Sequence, residues 1–461
     1  MKFDAKTAKI LPWVIAISFF MQMLDTTIMN TALPSIAKDL EESPLNMQSV
    51  IISYMLTVAF FMPISGWLAD RFGIRNVFVM ANLVFILGSA LSAGATSLLS
   101  LVLARVIQGI GGAFMMPVGR LTVMRLYPRS ELVRVLSFIS IPALVGPMLG
   151  PTVGGLLTQY ASWHWIFLIN IPVGFFAVVA IWRFIPNVKM DGLASFDFPG
   201  FALIGLAVLS GTVGMEVFAN MHLPLMWVSP LLLFALLMLL FYVFYAKGAE
   251  SPIFDLKVLK IRSYTVGILG NIFARFSSGV MPFMTPLLLQ VGLGYTPFAA
   301  GLMMMPTALM SIFGKGLVNK LLKIVSFRTF LSINTVVIGV NMGLFALIGH
   351  DTPVWSVILH LSIFGIFNSM QFTAMFSMTL IDLPQKYAAS GNSILSTIKQ
   401  LSMGVSVGVG AAILAFFSPE SLSQESIPAF HKTYIVIGTM SILAAAIFLA
   451  TPKDTGKVEP D

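Results

Sequence analysis

The chain has 461 residues, 57% of them hydrophobic and only 10% charged, where a soluble domain carries about 25% charged residues. That composition excludes a soluble enzyme, and its apolar runs are longer than barrel strands need, so it describes an all-α polytopic membrane protein. A net charge of +8 without a soluble basic face excludes a nucleic-acid partner, and the absence of cysteine excludes disulfides, thiolate metal sites and cysteine nucleophiles.

Fourteen apolar segments follow one another, over residues 11–34, 47–68, 77–95, 99–119, 136–158, 165–186, 198–217, 226–246, 264–288, 298–318, 328–348, 353–376, 388–416 and 432–450. The first is too long for the apolar core of a signal peptide and has no small-residue cleavage site after it. Lysine and arginine gather in alternate connections: Arg71 and Arg75, then Arg120, Arg125 and Arg134, then Lys257, Lys260 and Arg262, then Lys315 to Arg328. The intervening connections hold only Lys38 and Lys432. With Lys2 and Lys457 on the basic side, the positive-inside rule places both termini in the cytoplasm. Trp163 and Trp165 open segment 6, where an outer aromatic belt is expected.

Segment 1 contains Leu24-Asp25-Thr26-Thr27-Ile28-Met29-Asn30-Thr31-Ala32-Leu33-Pro34. Charges within a membrane are costly and usually face a cavity or each other, so Asp25, Arg105, Arg275 and Lys399 are the leading functional candidates. Asp25 lies about ten residues before the outer end of segment 1, and Arg105 about seven after the outer start of segment 4; at ~1.5 Å per residue they reach similar depth and can pair. Burial beside a cation is how a carboxyl's proton affinity is set. A permanent ion pair with no transport role is the plainer alternative.

Between segments 2 and 3 runs Gly66-Trp67-Leu68-Ala69-Asp70-Arg71-Phe72-Gly73-Ile74-Arg75. Its glycines permit a tight turn, and Asp70 is placed to meet a helix N-terminus or an arginine of the same half. Arg71 and Arg75 are otherwise ordinary positive-inside charge. Segment 4 carries Leu101-Val102-Leu103-Ala104-Arg105-Val106-Ile107-Gln108-Gly109. Here a buried arginine capping a neighbour's carbonyls is the alternative to a role in proton transfer.

Segment 5 carries Gly146-Pro147-Met148-Leu149-Gly150-Pro151-Thr152-Val153-Gly154-Gly155. Two prolines and four glycines break a helix in water. In a membrane, glycine at every fourth position forms a smooth stripe that admits a neighbouring helix.

Arg275 and Lys399 each lie about twelve residues into helices that start from the cytoplasm, which puts them at similar depth. Counted with Arg105 against the single Asp25, they predict a net-positive substrate cavity. Asn30, Asn271, Asn368 and Gln371 would supply its polar lining and could complete a carboxylate site. Cations that snorkel or face carbonyls are the alternative. The residues from Leu317 to Lys320 look like a degraded copy of Leu68 to Arg71, which pairs helices 1–6 with helices 9–14.

The stretch at Asp25 resembles L-D-x-T-I-V-N-x-A-L-P, the helix 1 signature of the fourteen-helix drug:proton antiporter branch of the major facilitator superfamily. The loop at Asp70 resembles G-x-L-A-D-R-x-G-R-K, with Ile74 where the family often has a basic residue. The stretch at Arg105 resembles L-x-x-x-R-x-x-Q-G, and segment 5 resembles the antiporter motif G-x-x-x-G-P-x-x-G-G. Ser162 to Pro172, and Pro286 to Gln290 with Gly301 and Pro306, resemble the same branch. The resemblance implies a major facilitator fold with 14 transmembrane helices (6+2+6), divided as 1–190, an inserted pair 191–250, and 251–461. It implies a multi-pass, monomeric, proton-coupled multidrug efflux antiporter of the bacterial inner membrane, working by alternating access. Its partners would be a small-molecule substrate and membrane lipid, and its coupling ion the proton, with no cofactor and no enzymatic activity. In that plan Asp25, Arg105 and Gln108 serve proton coupling. Gly66, Asp70, Arg71, Gly73 and Arg75 form a conformational latch, and Gly146, Pro147, Gly150, Pro151, Gly154 and Gly155 form the antiporter motif. An exporter of an endogenous anionic or zwitterionic metabolite, or a transporter-like receptor, are the alternatives. No Walker loop is present, so ATP drive is not expected.

Overall fold

The computed structural model describes residues 5–190, 196–221, 225–249, 252–384, 387–418, 422–452 and 455. Lys2 and Lys457, which count toward the cytoplasmic side, lie outside the described residues. Apolar runs become helices because lipid offers the backbone no partner, so each N–H must bond within its own segment. Among the described residues there are helices and no strands.

The helices are α1 (Ala5–Asp39), α2 (Gln48–Phe61, continued through a 3-10 turn as Ser65–Phe72), α3 (Ile74–Ala93), α4 (Leu98–Leu126), α5 (Arg129–Tyr160), α6 (Asn170–Phe184), α7 (Phe198–Met221) and α8 (Leu225–Gly248). Then follow α9 (Arg262–Phe273, resuming as Phe276–Leu287), α10 (Pro297–Leu321), α11 (Phe327–Leu344), α12 (Val354–Ile381), α13 (Ala388–Phe417) and α14 (Ile427–Phe448). Among the described residues, twelve helices are long and apolar enough to cross a membrane. Helices at the other two of the fourteen expected positions, α5 and α7, are 32 and 24 residues long; about 20 residues suffice to span.

The chain divides into two compact units. One comprises Met1–Phe196 with Thr296–Leu302, and the other Asp197–Tyr295 with Met303–Asp461. Within the first, α1 packs along α5 and α6, α4 along α2 and α3, and α3 along α6. Within the second, α9 packs along α13 and α14, α12 along α9 and α11, and α11 along α14. The contacts of α1 with α5 and α6, of α3 with α4 and of α3 with α6 thus have counterparts in α9 with α13 and α14, α11 with α12 and α11 with α14.

The inserted pair α7–α8 belongs to the second unit and forms no unit of its own. Asp197, ahead of α7, accepts from Gly200 N (2.9 Å), Ile253 N (2.9 Å) and Tyr245 Oη (2.5 Å). Tyr242 of α8 donates to the Phe254 carbonyl (2.9 Å) and accepts from Phe254 N (2.8 Å). One buried carboxylate and one tyrosine therefore tie the pair to the segment that leads into α9.

Candidate functional site

The first unit closes around Asp25. Its side chain is 0% exposed and that of Arg105 2%, on helices whose expected depths coincide. Arg105 Nη1 donates to Asp25 Oδ2 (2.7 Å), Gln108 Nε2 to Oδ1 (2.8 Å), and Asn170 Nδ2 to the same Oδ1 (2.7 Å). The orientation of the Gln108 amide follows from the network. Its Oε1 accepts from Arg105 Nη1 (2.5 Å), which leaves the NH2 group for Asp25 and Ser89 Oγ (2.7 Å). Asn170 also donates to Ser89 Oγ (3.0 Å). The guanidinium carbon of Arg105 lies 4.3 Å from the centre of the Tyr54 ring, within cation–π range. Each of these three partners gives the carboxylate a donor.

Close helix approach brings these groups together. A Cβ at Gly88 of α3 would strike the backbone of Gln108, and one at Gly111 would strike Ala81 and Phe85. At Gly109 it would meet Thr57 and the Tyr54 carbonyl. The glycine stripe of α5 faces α1, the helix that carries Asp25. Gly146 abuts Met23 and Leu24, Gly150 abuts Thr27 and Ile28, and Gly154 abuts the Ile28 carbonyl. Threonines of α1 donate across the seam, Thr27 Oγ1 to Gly146 O (3.4 Å) and Thr31 Oγ1 to Pro151 O (3.1 Å). Pro147 and Pro151 lie within α5, which continues helical to Tyr160. Gly155 turns away from α1 toward Pro297 and Phe298, and Asn30 is buried at 6% exposure on α1.

In the last turns of α2, not in a loop, Asp70 forms an ion pair with Arg125 at the end of α4. Neither basic residue of its own motif takes that place: Arg71 lies over the Trp67 ring at 5.2 Å, and Arg75 Nε is buried without a hydrogen-bond partner. Gly73 adopts φ +93°, and a Cβ there would run into Asn187. The strap after α6 closes over this turn, Met190 N bonding to Asp70 O (3.0 Å) and Ile74 N to Val188 O (3.1 Å). Space is open around Gly66.

In the second unit, Arg275 sits where α9 breaks, 4% exposed. Its Nε donates to Asn271 Oδ1 (2.9 Å), and its guanidinium carbon lies 3.8 Å from the Phe372 ring centre. No carboxylate pairs with it among the described residues. Lys399 Nζ lies 5.3 Å from the ring centre of Phe376, one turn along α12 from Phe372. Asn368 accepts from Ser278. Two expected lining groups are committed elsewhere: Asn271 also donates to Gly267 O (2.8 Å), and Gln371 bonds to Asn334 (2.8 Å) and Thr335 (2.7 Å) of α11. Of the three cations expected to outnumber Asp25, Arg105 is the one paired with it, inside the first unit.

The model of the Major Facilitator Superfamily matches residues 15–407. The chain belongs to the major facilitator superfamily. Its relatives include a "Putative multidrug resistance protein MdtD" of Pectobacterium atrosepticum, 42% identical over 448 residues and covered to 96% in both chains. Another of the same name, in Yersinia enterocolitica, is 43% identical over 453 residues, covering 96% of this chain and 95% of its own. A crystal structure of a D-xylose-proton symporter superposes with a TM-score of 0.69 at 15% identity, covering 97% of this chain and 99% of its own. A POT family transporter in complex with 5-aminolevulinic acid gives 0.71 at 17%, covering 95% of both. At these identities the likeness shows the fold alone. This major facilitator protein is a multi-pass protein of the bacterial inner membrane and a transporter of small molecules, not an enzyme.

Sequence reasoning missed several participants in this major facilitator chain. Asn170 and Ser89 are single polar residues within apolar runs, and Tyr54 gave no signal beyond an aromatic in a span. Arg125, the partner of Asp70, reads in sequence as one more cytoplasmic charge. Phe372 and Phe376 are indistinguishable from lipid-facing phenylalanines until α12 is placed against α9 and α13.

Proposed function

We propose that this transporter is a proton-coupled multidrug efflux antiporter working by alternating access, with Asp25 as the proton carrier. The observation that carries the reading is a fully buried carboxylate held by three N–H donors, one of them from Arg105. A proton arriving at Asp25 removes its charge, loosens the grip on Arg105 and Gln108 and gives a buried O–H that must find a new acceptor. Protonation therefore favours a different arrangement of α1, α4 and α6, which links proton movement to conformation. In this reading the protein works as a monomer, α5 and α7 complete fourteen spans with both termini in the cytoplasm, and the proton is the only coupling agent.

The test uses proteoliposomes with an imposed pH gradient and ethidium as the probe drug. Asp25→Asn is expected to abolish gradient-driven transport while leaving the protein inserted and able to exchange substrate by counterflow. Full gradient-driven transport by Asp25→Asn would remove Asp25 from the coupling role. Absence of counterflow in the wild type for every probe would favour a receptor. A second reading, export of an endogenous anionic or zwitterionic metabolite, is favoured by Arg275, a buried guanidinium with no carboxylate partner among the described residues.

A further inference from the structure

The turn that carries Asp70 joins two helix ends. α2 ends at Phe72 and α3 begins at Ile74, with only Gly73 between them. Each helix end leaves backbone groups that its own helix does not bond. Gly73, at the capping position of α3, has no side chain to supply a partner.

The strap at 185–190 supplies the missing partners. Val188 O accepts from Ile74 N (3.1 Å), and Met190 N donates to Asp70 O (3.0 Å). Asn187 serves both helices at once. Its Oδ1 accepts from Asn76 N (3.4 Å), and its Nδ2 donates to Phe72 O (3.5 Å). A carboxamide carries an acceptor and a donor on one group, which suits it to a helix start and a helix end lying side by side. The amide also sits where residue 73 would carry a side chain, since a Cβ there would run into it. Gly73 is therefore fitted to its place twice, by its φ of +93° and by the group seated on it.

The same stretch of chain reaches the ion pair. Met190 meets Asp70 through its N–H and Arg125 Nη2 through its Sδ (3.2 Å). Further on, Phe196 packs against Trp67, with 5.3 Å between ring centres. The Asp70–Arg125 pair is 23% and 16% exposed, and a pair so open to water holds little by itself. The strap is the firmer hold, because its bonds satisfy backbone groups at two helix ends together.

We propose that Asn187 is a positioning residue of the conformational latch: by capping α2 and α3 together it holds Asp70 within reach of Arg125. The inference rests on the Asp70 turn acting as a latch in alternating access. Asn187 acts on transport only through that turn.

The test compares Asn187→Leu, which keeps the size of the side chain and loses both bonds, with Asn187→Asp. Aspartate keeps the acceptor and places a negative charge at the start of α3, where it is favoured. Hydrogen exchange read by mass spectrometry on the full-length protein in nanodiscs reports the caps directly and needs no substrate. The amides of Ile74 and Asn76 are expected to exchange roughly five- to tenfold faster in Asn187→Leu, and near the wild-type rate in Asn187→Asp. In proteoliposomes with an imposed pH gradient, ethidium transport is expected to fall by a similar factor in Asn187→Leu and to recover in Asn187→Asp. A role in packing alone would be kept by leucine and would not follow the polar group. Unchanged exchange in Asn187→Leu, or faster exchange with wild-type transport, overturns the proposal. Should Asn187→Leu fail to insert, the wild type decides. Its Ile74 and Asn76 amides are expected to exchange at least roughly tenfold more slowly than unbonded amides, and exchange at the unbonded rate overturns the proposal. Asp70→Asn run alongside separates the two claims. Wild-type transport in Asp70→Asn removes the latch reading; wild-type transport in Asn187→Leu alone removes only the role of Asn187.

Discussion

Asp25 and Asp70 show how burial grades the same chemistry. Both are aspartates paired with an arginine of α4, but the first pair is 0% and 2% exposed and the second 23% and 16%. Removing one member of a buried pair strands the other charge and costs about 3–5 kcal/mol. A water-accessible pair contributes about 1 kcal/mol or less. Arg105→Ala is therefore expected to lower the melting temperature of the purified protein well beyond the effect of Arg125→Ala. Equal losses in the two variants would mean that burial does not rank these pairs. Arg125 also serves Met190 through its Nη2 (3.2 Å to Sδ), so its loss should loosen the strap over the Asp70 turn.

At the scale of elements, the seam between α1 and α5 is set by backbone meeting backbone. The stripe predicts that some neighbour comes close; the fold names α1, so α5 grips the helix that carries Asp25. Gly150→Leu is expected to block transport while the protein still inserts, because even a Cβ at 150 meets Thr27 and the amide of Ile28. The graded form of the test is sharper. At Gly154 the nearest obstacle is a carbonyl oxygen, which cannot rotate away, whereas Gly66 has open space. Gly154→Ala should therefore impair transport and thermal stability, and Gly66→Ala should leave both near wild type. Parity between them would show that the seam is looser than drawn.

At the scale of the whole molecule, the question is what charge the substrate carries. A multidrug exporter of lipophilic cations would have to tolerate Arg275, which the second unit holds against Phe372 and leaves without a carboxylate partner among the described residues. The second reading predicts that organic carboxylates bind the detergent-purified protein more tightly than ethidium does. It also predicts that Arg275→Ala weakens them at least about tenfold, or 1.4 kcal/mol, the low end for a charge-assisted bond. Equilibrium binding decides it: tight ethidium binding that carboxylates do not compete with, and that Arg275→Ala leaves unchanged, retires the anionic reading.

The sequence alone was sufficient for the membrane class, the helix positions and the pairing of Asp25 with Arg105. All of these depend on local quantities: the length of an apolar run, a period of four, or depth counted along a helix axis. The convergence of Asn170 and Ser89 on Asp25, the choice of Arg125 over Arg71 or Arg75 for Asp70, and the diversion of Gln371 to α11 are different in kind. They depend on which helix faces turn toward each other, and that is decided only when six helices pack at once. A polar side chain in an apolar run shows that a partner is needed, since lipid supplies none. Which partner it finds is a property of the tertiary structure.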